Sequence, residues 1–564
     1  MKRMLWLSVG LLMGVSLSCS FFFPETEPLA SHAGIVRLSS SGSFDYTVAL
    51  EEPRDVYFVF SAAPSYSGAQ VVSVAPLMVD GVRLPQPGAL RLPAVFPEPA
   101  SIEARIANEN ARLARLLLSR GTRRTLPRAA LTPSEMRADT VGETDAFYDV
   151  ADTIRSVSAT CRYVGTEDTP QGLRTLSIWV ADDQWGTITQ AMVDELAARF
   201  LSSGLDNDIY DWLTTILGPE WGGHPYVDLI PFDGGITIFL TDIGNDGSTE
   251  GGIVGYFAAI HQFKNEYLQQ YGESPVSNER VMFTIDAPMY ANDGGDGMWT
   301  PSDEWPKIVF STLVHEFQHM INFYQKTVLR GGISEVWLNE MCSQVAEDLL
   351  ADKVGVEGPR GVDPQVGGPG DPGNTGGRIP YYNQYTYLPL MKTEGFDLLD
   401  YATTYAFGAW TVRNFGGAFF LRRVVQSPYG GKDAVEKAVQ EAGGVYTTMA
   451  DLVAQWAVAV LTSDRTDMPE GYRYNTGTWF TSTLGGTEYR LGSIDFFRYY
   501  RRTEDGEVIS EPGPVVYEGE DPLGELSAAS NVFYAAARSF TGKKTFHLTV
   551  PQGVITHVVI LPPR

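Results

Sequence analysis

The chain has 564 residues, three or four domains' worth at about 150 residues each, and its 44% hydrophobic, 12% aromatic and 20% charged content excludes a disordered or collagen-like protein. Asp and Glu number 68 against 42 Lys and Arg, and the resulting net charge of −26 repels phosphate backbones and argues against any nucleic-acid partner. Three cysteines, Cys19, Cys161 and Cys342, are too few for a disulfide scaffold or a cysteine-rich zinc module, so a metal must be held by His and carboxylates.

Residues 1–19 read as a secretory signal, with basic Lys2 and Arg3, an apolar run from Met4 to Val15 and small residues up to Cys19. The apolar run falls short of the ~20 residues that span a bilayer as a helix. Ser16-Leu17-Ser18-Cys19 resembles a relaxed bacterial lipobox, which would make Cys19 the lipidated first residue of an envelope-anchored chain; the same small residues also suit plain secretion. Spacing does not show whether Cys161 and Cys342 meet.

Short β-like runs follow at 34–38, 44–50, 56–60 and 71–74, giving a β-domain over 20–100. Residues 101–150 hold a helix, Ser101 to Arg120, and then a basic stretch with Arg123, Arg124 and Arg128 that reads as an exposed linker or a processing site. From 151 to 464 the pattern is mixed. Strands are expected at 175–181, 235–241 and 280–285, and helices at 188–202, 207–217, 303–325, 333–352, 401–425, 432–442 and 447–463. Residues 355–378 are dense in Gly and Pro and form a long loop. Beyond 465 the β-like runs return, at 477–483, 532–537, 545–550 and 554–561, as a C-terminal β-domain to residue 564.

The chemistry concentrates at His315-Glu316-Phe317-Gln318-His319, an HExxH motif. At 100° per residue, Val309, Phe310, Leu313, Val314, Phe317, Met320, Ile321 and Tyr324 fill one arc, and both His lie on the opposite face. Side chains at i and i+4 converge one turn apart, so two neutral imidazoles can reach one zinc at ~2.0–2.1 Å. Glu316, one step from His315, is poorly placed as a ligand and well placed as the general base that takes a proton from water. Asn322 and Gln325 stand where a metzincin carries Gly and His, which leaves a carboxylate as third ligand. On the next helix Glu340, Gln344 and Glu347 form a polar stripe whose direction wheel arithmetic does not fix.

HEFQHMINF followed by WLNEMCSQVAED resembles the zinc site of the gluzincin metallopeptidases, and is most similar to the hyicolysin family of bacterial neutral metallopeptidases. The likeness covers roughly 230–460 and includes NERVMFTID before the first motif and DYATTYAFGAW after the loop. It implies a thermolysin-like HExxH-plus-Glu site with Glu340, preceded by Asn339, as third ligand; Glu335 is the alternative. Thermolysin-like members carry an Asp four residues after the ligand Glu to orient a zinc-bound His. Gln344 stands there in this chain, so Glu347 or Ser343 would take that part. Tyr401, fifteen residues before a Gly-Gly pair, matches the Tyr that braces the oxyanion in related gluzincins, with Tyr405 as its rival. Gluzincins also pair an extended peptide with an edge strand, for which 235–241 is the candidate.

His224 and His261 read as surface or structural residues, and the acidic loops 242–252 and 292–297 as turns with room for a structural calcium. No GxSxG, CxxC or phosphate-binding Gly-Lys-Ser/Thr loop occurs. The sequence therefore predicts a multidomain protein, a gluzincin-like α+β metallopeptidase core flanked by N- and C-terminal β-domains. Its expected function is an exported zinc endopeptidase acting on proteins or peptides. The competing class is an envelope-anchored adhesin with a structural, four-ligand zinc.

Overall fold

The computed structural model describes residues 34–38, 41–64, 78–80, 82–83, 100–121, 139–364, 377–392, 396–502, 507–518 and 526–564. The signal with Cys19, the run 71–74, the linker arginines and the middle of the Gly/Pro-rich loop lie outside the described residues.

Among the described residues, strands β1 (Gly34–Leu38), β2 (Gly42–Ala62), β3 (Met78–Val79) and β4 (Val82–Arg83) precede helix α1 (Ala100–Arg120). A second sheet is built from β5 (Thr144–Asp149), β6 (Arg155–Thr169), β7 (Gly172–Ala181), β8 (Gly235–Thr241), β9 (Gly255–Tyr256) and β10 (Met282–Asp286), in the order β5-β6-β7-β8-β10-β9. Helices α2 (Gln190–Phe200) and α3 (Ile209–Leu217) connect β7 to β8. The short α4 (Asn265–Tyr271) and α5 (Ala287–Tyr290) flank β10. An all-helical stretch follows: α6 (Glu304–Asn322), α7 (Val336–Val354), α8 (Ile379–Gln384), α9 (Leu398–Asn414), α10 (Ala418–Val425), α11 (Lys432–Glu441) and α12 (Met449–Leu461). Hairpin strands β11 (Phe480–Leu484) and β12 (Thr487–Leu491), the pair β13 (Tyr500–Arg502) and β14 (Val508–Ser510), then β15 (Val516–Glu518), β16 (Asn531–Val550) and β17 (Val554–Leu561) complete an α+β architecture of several sheets. No helix among the described residues is long and apolar enough to cross a membrane.

The structure departs from the sequence expectations in four places. Two flanking β-domains were expected, but the strands from both ends form one seven-stranded sheet, in which β2 lies between β16 and β17 and β1 adds to β17. The runs 44–50 and 56–60 belong to one strand. Pro53 between them faces a region of β16 where the register shifts, so the ladder bends there and continues. The helix expected over 401–425 breaks at Gly416 and Gly417, whose positive φ angles of 104° and 60° end α9 and start α10. Finally, β8 is no edge. It pairs in parallel with β7 on one side and β10 on the other, as its unbroken apolar run GITIFLT suits, and β5 and β9 are the strands with one neighbour.

Buried charge holds the second sheet to the chain ahead of it. Arg280 donates to Asp139 at 2.7 Å, with its guanidinium over the rings of Phe147 and Trp179, and Trp179 Nε1 also donates to Asp139. Burial raises the Asp139 carboxyl, but Arg280 more than offsets this and holds it down at about 2. A carboxyl depressed on folding stabilises fully above its unfolded pKa near ~3.9, and that contribution is lost as pH falls towards about 2. Asp139→Asn is therefore expected to lower the unfolding free energy by about 2 kcal/mol at pH 7 and by much less at pH 2.5, as read by urea denaturation.

Candidate metal centre

Helix α6 is oriented by its apolar arc. Val309, Phe310, Leu313, Val314, Phe317, Met320 and Ile321 are all buried, and the Phe317 ring packs among Phe200, Tyr210 and Phe283. With that face committed to the core, His315 and His319 turn toward α7, their ring centroids 4.7 Å apart. Asn322 at the end of α6 donates to Asn339 Oδ1 at 2.8 Å, which fixes α7 one residue before Glu340. His315, His319 and Glu340 have ligand atoms all within 4.8 Å of one another, and they form the one such group of three His, Cys, Asp or Glu among the described residues.

The distances suit a metal. Glu340 Oε2 lies 3.2 Å from His315 Nε2 and 3.5 Å from His319 Nε2. A tetrahedral zinc with bonds of ~2.0–2.1 Å keeps its ligand atoms about 3.3 Å apart. The outer ring nitrogens are also held. His315 Nδ1 meets Glu347 Oε1 at 2.8 Å, and Glu347 Oε2 accepts from Ser311 at 2.5 Å. His319 Nδ1 lies 3.1 Å from Ser343 Oγ, whose own proton goes to Gln318 Oε1 at 2.6 Å. Both Nδ1 atoms thus act as donors to fixed acceptors, leaving both Nε2 lone pairs directed at Glu340.

Protonation follows the same field. Burial lowers His315, yet Glu340 and Glu347 overcome it and raise it well above the usual imidazole range; against the same burial Glu340 also raises His319. Burial works to raise Glu340, but His319 and His315 drive it far below the carboxylate range. Glu316 is 6% exposed, and burial raises its carboxyl against the pull of His315, His319 and the Phe257 backbone.

Tyr401 on α9 comes to the same place. Its ring centroid is 6.4 Å from that of His315, and its hydroxyl lies in the field of Glu340 and Glu316. Close approach of α7 and α9 requires Gly408, where a Cβ would meet Met341 Cγ and Val345 Cγ2 at 2.7 Å. Gln344 links the two helices, donating to Tyr401 O at 3.1 Å and Thr404 Oγ1 at 3.2 Å. The rival candidates lie elsewhere. Tyr405 donates to Asp348, which also pairs with Arg413 at 2.9 Å in the core. Glu335 precedes α7 and accepts from its own neighbour Trp337 Nε1 at 2.6 Å.

His224 is buried with Nε2 on Ile230 O at 2.8 Å, and His261 Nδ1 accepts from the Asn278 amide; both are structural. Carboxylates of the acidic loops take up backbone amides of their own turns, as Asp242 does for Asp246 and Gly247 and Asp293 for Gly295. Cys161 and Cys342 are separate buried thiols.

One participant had no signal in the sequence. Glu103 on α1, more than two hundred residues before the motif, lies near enough to the Tyr401 hydroxyl to perturb it and stands in the field of Glu340, His315 and Glu316.

With this geometry in hand, likeness to known proteins becomes informative. The peptidase M30 family model matches residues 158–484, more than half the chain. Over 302 residues the chain is 24% identical to the neutral metalloprotease ShpI of Staphylococcus hyicus, which covers 52% of this chain and 58% of that protein. It therefore spans less than two thirds of that relative's length. Crystal structures of a mutant two-domain M1 zinc metallopeptidase, bound to L-arginine and to L-tryptophan, align over 56% of this chain and 59% of theirs at a TM-score of 0.29, with 12% and 13% identity.

Removing the acceptor behind His315 tests the geometry. Glu347→Ala is expected to weaken zinc affinity about 10- to 100-fold in chelator competition, because the imidazole loses the partner that sets its tautomer and orientation.

Proposed function

Because the chain belongs to the peptidase M30 family, we propose that it is a zinc-dependent endopeptidase whose metal ligands are His315, His319 and Glu340. The observation that carries this reading is the convergence of those three ligand atoms within 4.8 Å, beside a second acidic group, Glu316, that is not one of them. Three protein ligands leave a position open for reacting groups, whereas a purely structural zinc takes four. That difference favours an enzyme over an adhesin.

A bound zinc supplies Lewis acidity, polarising a peptide carbonyl and bringing water's pKa toward ~7. Everything else falls to the chain. Glu316 takes the proton of the attacking water and returns it to the departing amine; its burial raises its proton affinity and suits both steps. Tyr401 donates its hydroxyl to the oxyanion that develops on the carbonyl. Glu347 and Ser343 keep the imidazoles in register through both steps. An extended substrate pairs with the free edge of β9 and the residues after it, which binds main chain and leaves side-chain choice to the surrounding cleft. Protein or peptide substrates outside the cell follow from the secretory signal read at 1–19, with a lipid anchor at Cys19 if the lipobox is used.

Digestion of casein tests the catalytic reading. The zinc-loaded chain is expected to cleave it and to stop when a chelator removes the metal. Glu316→Gln should bind one zinc and leave casein intact, and cleavage by that variant at the wild-type rate would overturn the assignment. Tyr401→Phe is expected to lower kcat about 100-fold with KM nearly unchanged, since its bond forms to the oxyanion and not to the resting substrate.

A further inference from the structure

Helix α1 packs against α7 and against the segment that follows β9. Its core-facing residues Ile106, Leu113, Ala114 and Leu117 are buried in the same hydrophobic core as α6 and α7. Its polar residues meet the two features that a peptide must reach. Asn110 Nδ2 donates to Phe257 O at 2.8 Å, and Asn110 Oδ1 accepts from Ala259 N at 2.7 Å. A carbonyl and the N–H two residues on are what one residue of a neighbouring parallel strand engages, and the Asn amide has the chemistry of a peptide group. This pairing falls directly after β9, an edge strand of the sheet, and the Phe257 backbone lies in reach of Glu316.

Seven residues earlier on α1, Glu103 is an electrostatic neighbour of the Tyr401 hydroxyl, whose ring packs against His315. A small cleft of about 30 Å³ remains between α1 and the helix pair, lined by Ala107, Asn110 and Ala111 on one side and His319, Asn322 and Asn339 on the other. That volume holds a water or two.

We infer that α1 is a built-in inhibitor of the site, with Asn110 occupying the main-chain groups that bind substrate and Glu103 placed beside the oxyanion donor, so that the folded chain is latent until α1 withdraws. This rests on the peptide-cleaving reading of the same site. A latch outside the centre holds the helix down: Arg112 makes a two-pronged ion pair with Glu273, at 2.7 and 2.8 Å, in the segment after α4. The basal rate is then set by the small fraction of molecules in which α1 has lifted.

The test uses the full, zinc-loaded chain carrying Glu316→Gln, so that binding is read without cleavage, with fluorescein-labelled β-casein as probe and fluorescence polarisation as readout. Arg112→Glu turns the latch into a repulsion and is expected to tighten casein binding at least tenfold. Adding Glu273→Arg restores the pair and is expected to return the affinity to its starting value. Hydrogen exchange at the Ala259 amide, which Asn110 covers, should quicken in the first variant and slow again in the second.

Asn110→Ala leaves the buried leucines of α1 in place and serves if Arg112→Glu does not fold; it should tighten binding severalfold. Unchanged affinity in the folded variants, or tighter binding with no change in exchange at Ala259, overturns the inference. If the released variants bind casein tightly yet never cut it once Glu316 is restored, the catalytic reading fails and the inhibitory role of α1 stands.

Discussion

Taking two imidazoles and a carboxylate out of water at one helical seam is the constraint to which the rest of the structure answers. Each buried ionic group costs several kcal/mol unless its remaining hydrogen-bonding positions are filled. The seam fills them. Glu347 and Ser311 stand behind one imidazole, Ser343 and Gln318 behind the other, and Asn322 with Asn339 joins the two helices beside the carboxylate. The apolar arc of α6 and the close contact of α9 at Gly408 hold the backbone that carries these groups. Polar satisfaction and hydrophobic packing act here on the same few turns of helix.

How much of this was legible depends on whether the cause is local. The HExxH spacing, the helix that carries it and its apolar arc are properties of twenty consecutive residues, and they read directly from the sequence. The strands at 34–38, 235–241 and 554–561 have the expected bounds for the same reason. Choosing Glu340 over Glu335 needed the neighbouring helix, since periodicity alone does not show which side of α7 faces α6. What separates them in space is that Glu335 sits ahead of the helix, held by Trp337, whereas Glu340 is buried one turn inside it. Naming 235–241 as an edge failed because pairing partners are not local: an unbroken apolar strand is covered on both sides, and the edges belong to β5 and the two-residue β9.

Glu103 illustrates the limit most clearly. Nothing in its surroundings on α1 sets it apart from an ordinary acidic residue in a helix's first turn. Its meaning comes from Tyr401, almost three hundred residues later, and only folding brings the two together. Asn110 is similar, since an amide on a helix acquires a role only when a strand edge lies opposite it. Residues that regulate a site from another part of the chain leave no spacing for a reader of sequence to find.

Pairing of β2 with β16 joins residues such as Ser61 and Asn531, 470 positions apart, whose side chains also bond at 2.6 Å. Contacts of such sequence separation are slow to form, because a long loop must close before they return any energy. A ribosome makes β2 more than four hundred residues before its partners. The emerging chain thus carries a long strand with unsatisfied edges until those partners are available, and such edges invite pairing with other chains. Delivering the polypeptide unfolded across a membrane would sidestep that interval, since both ends would then become available within one folding event.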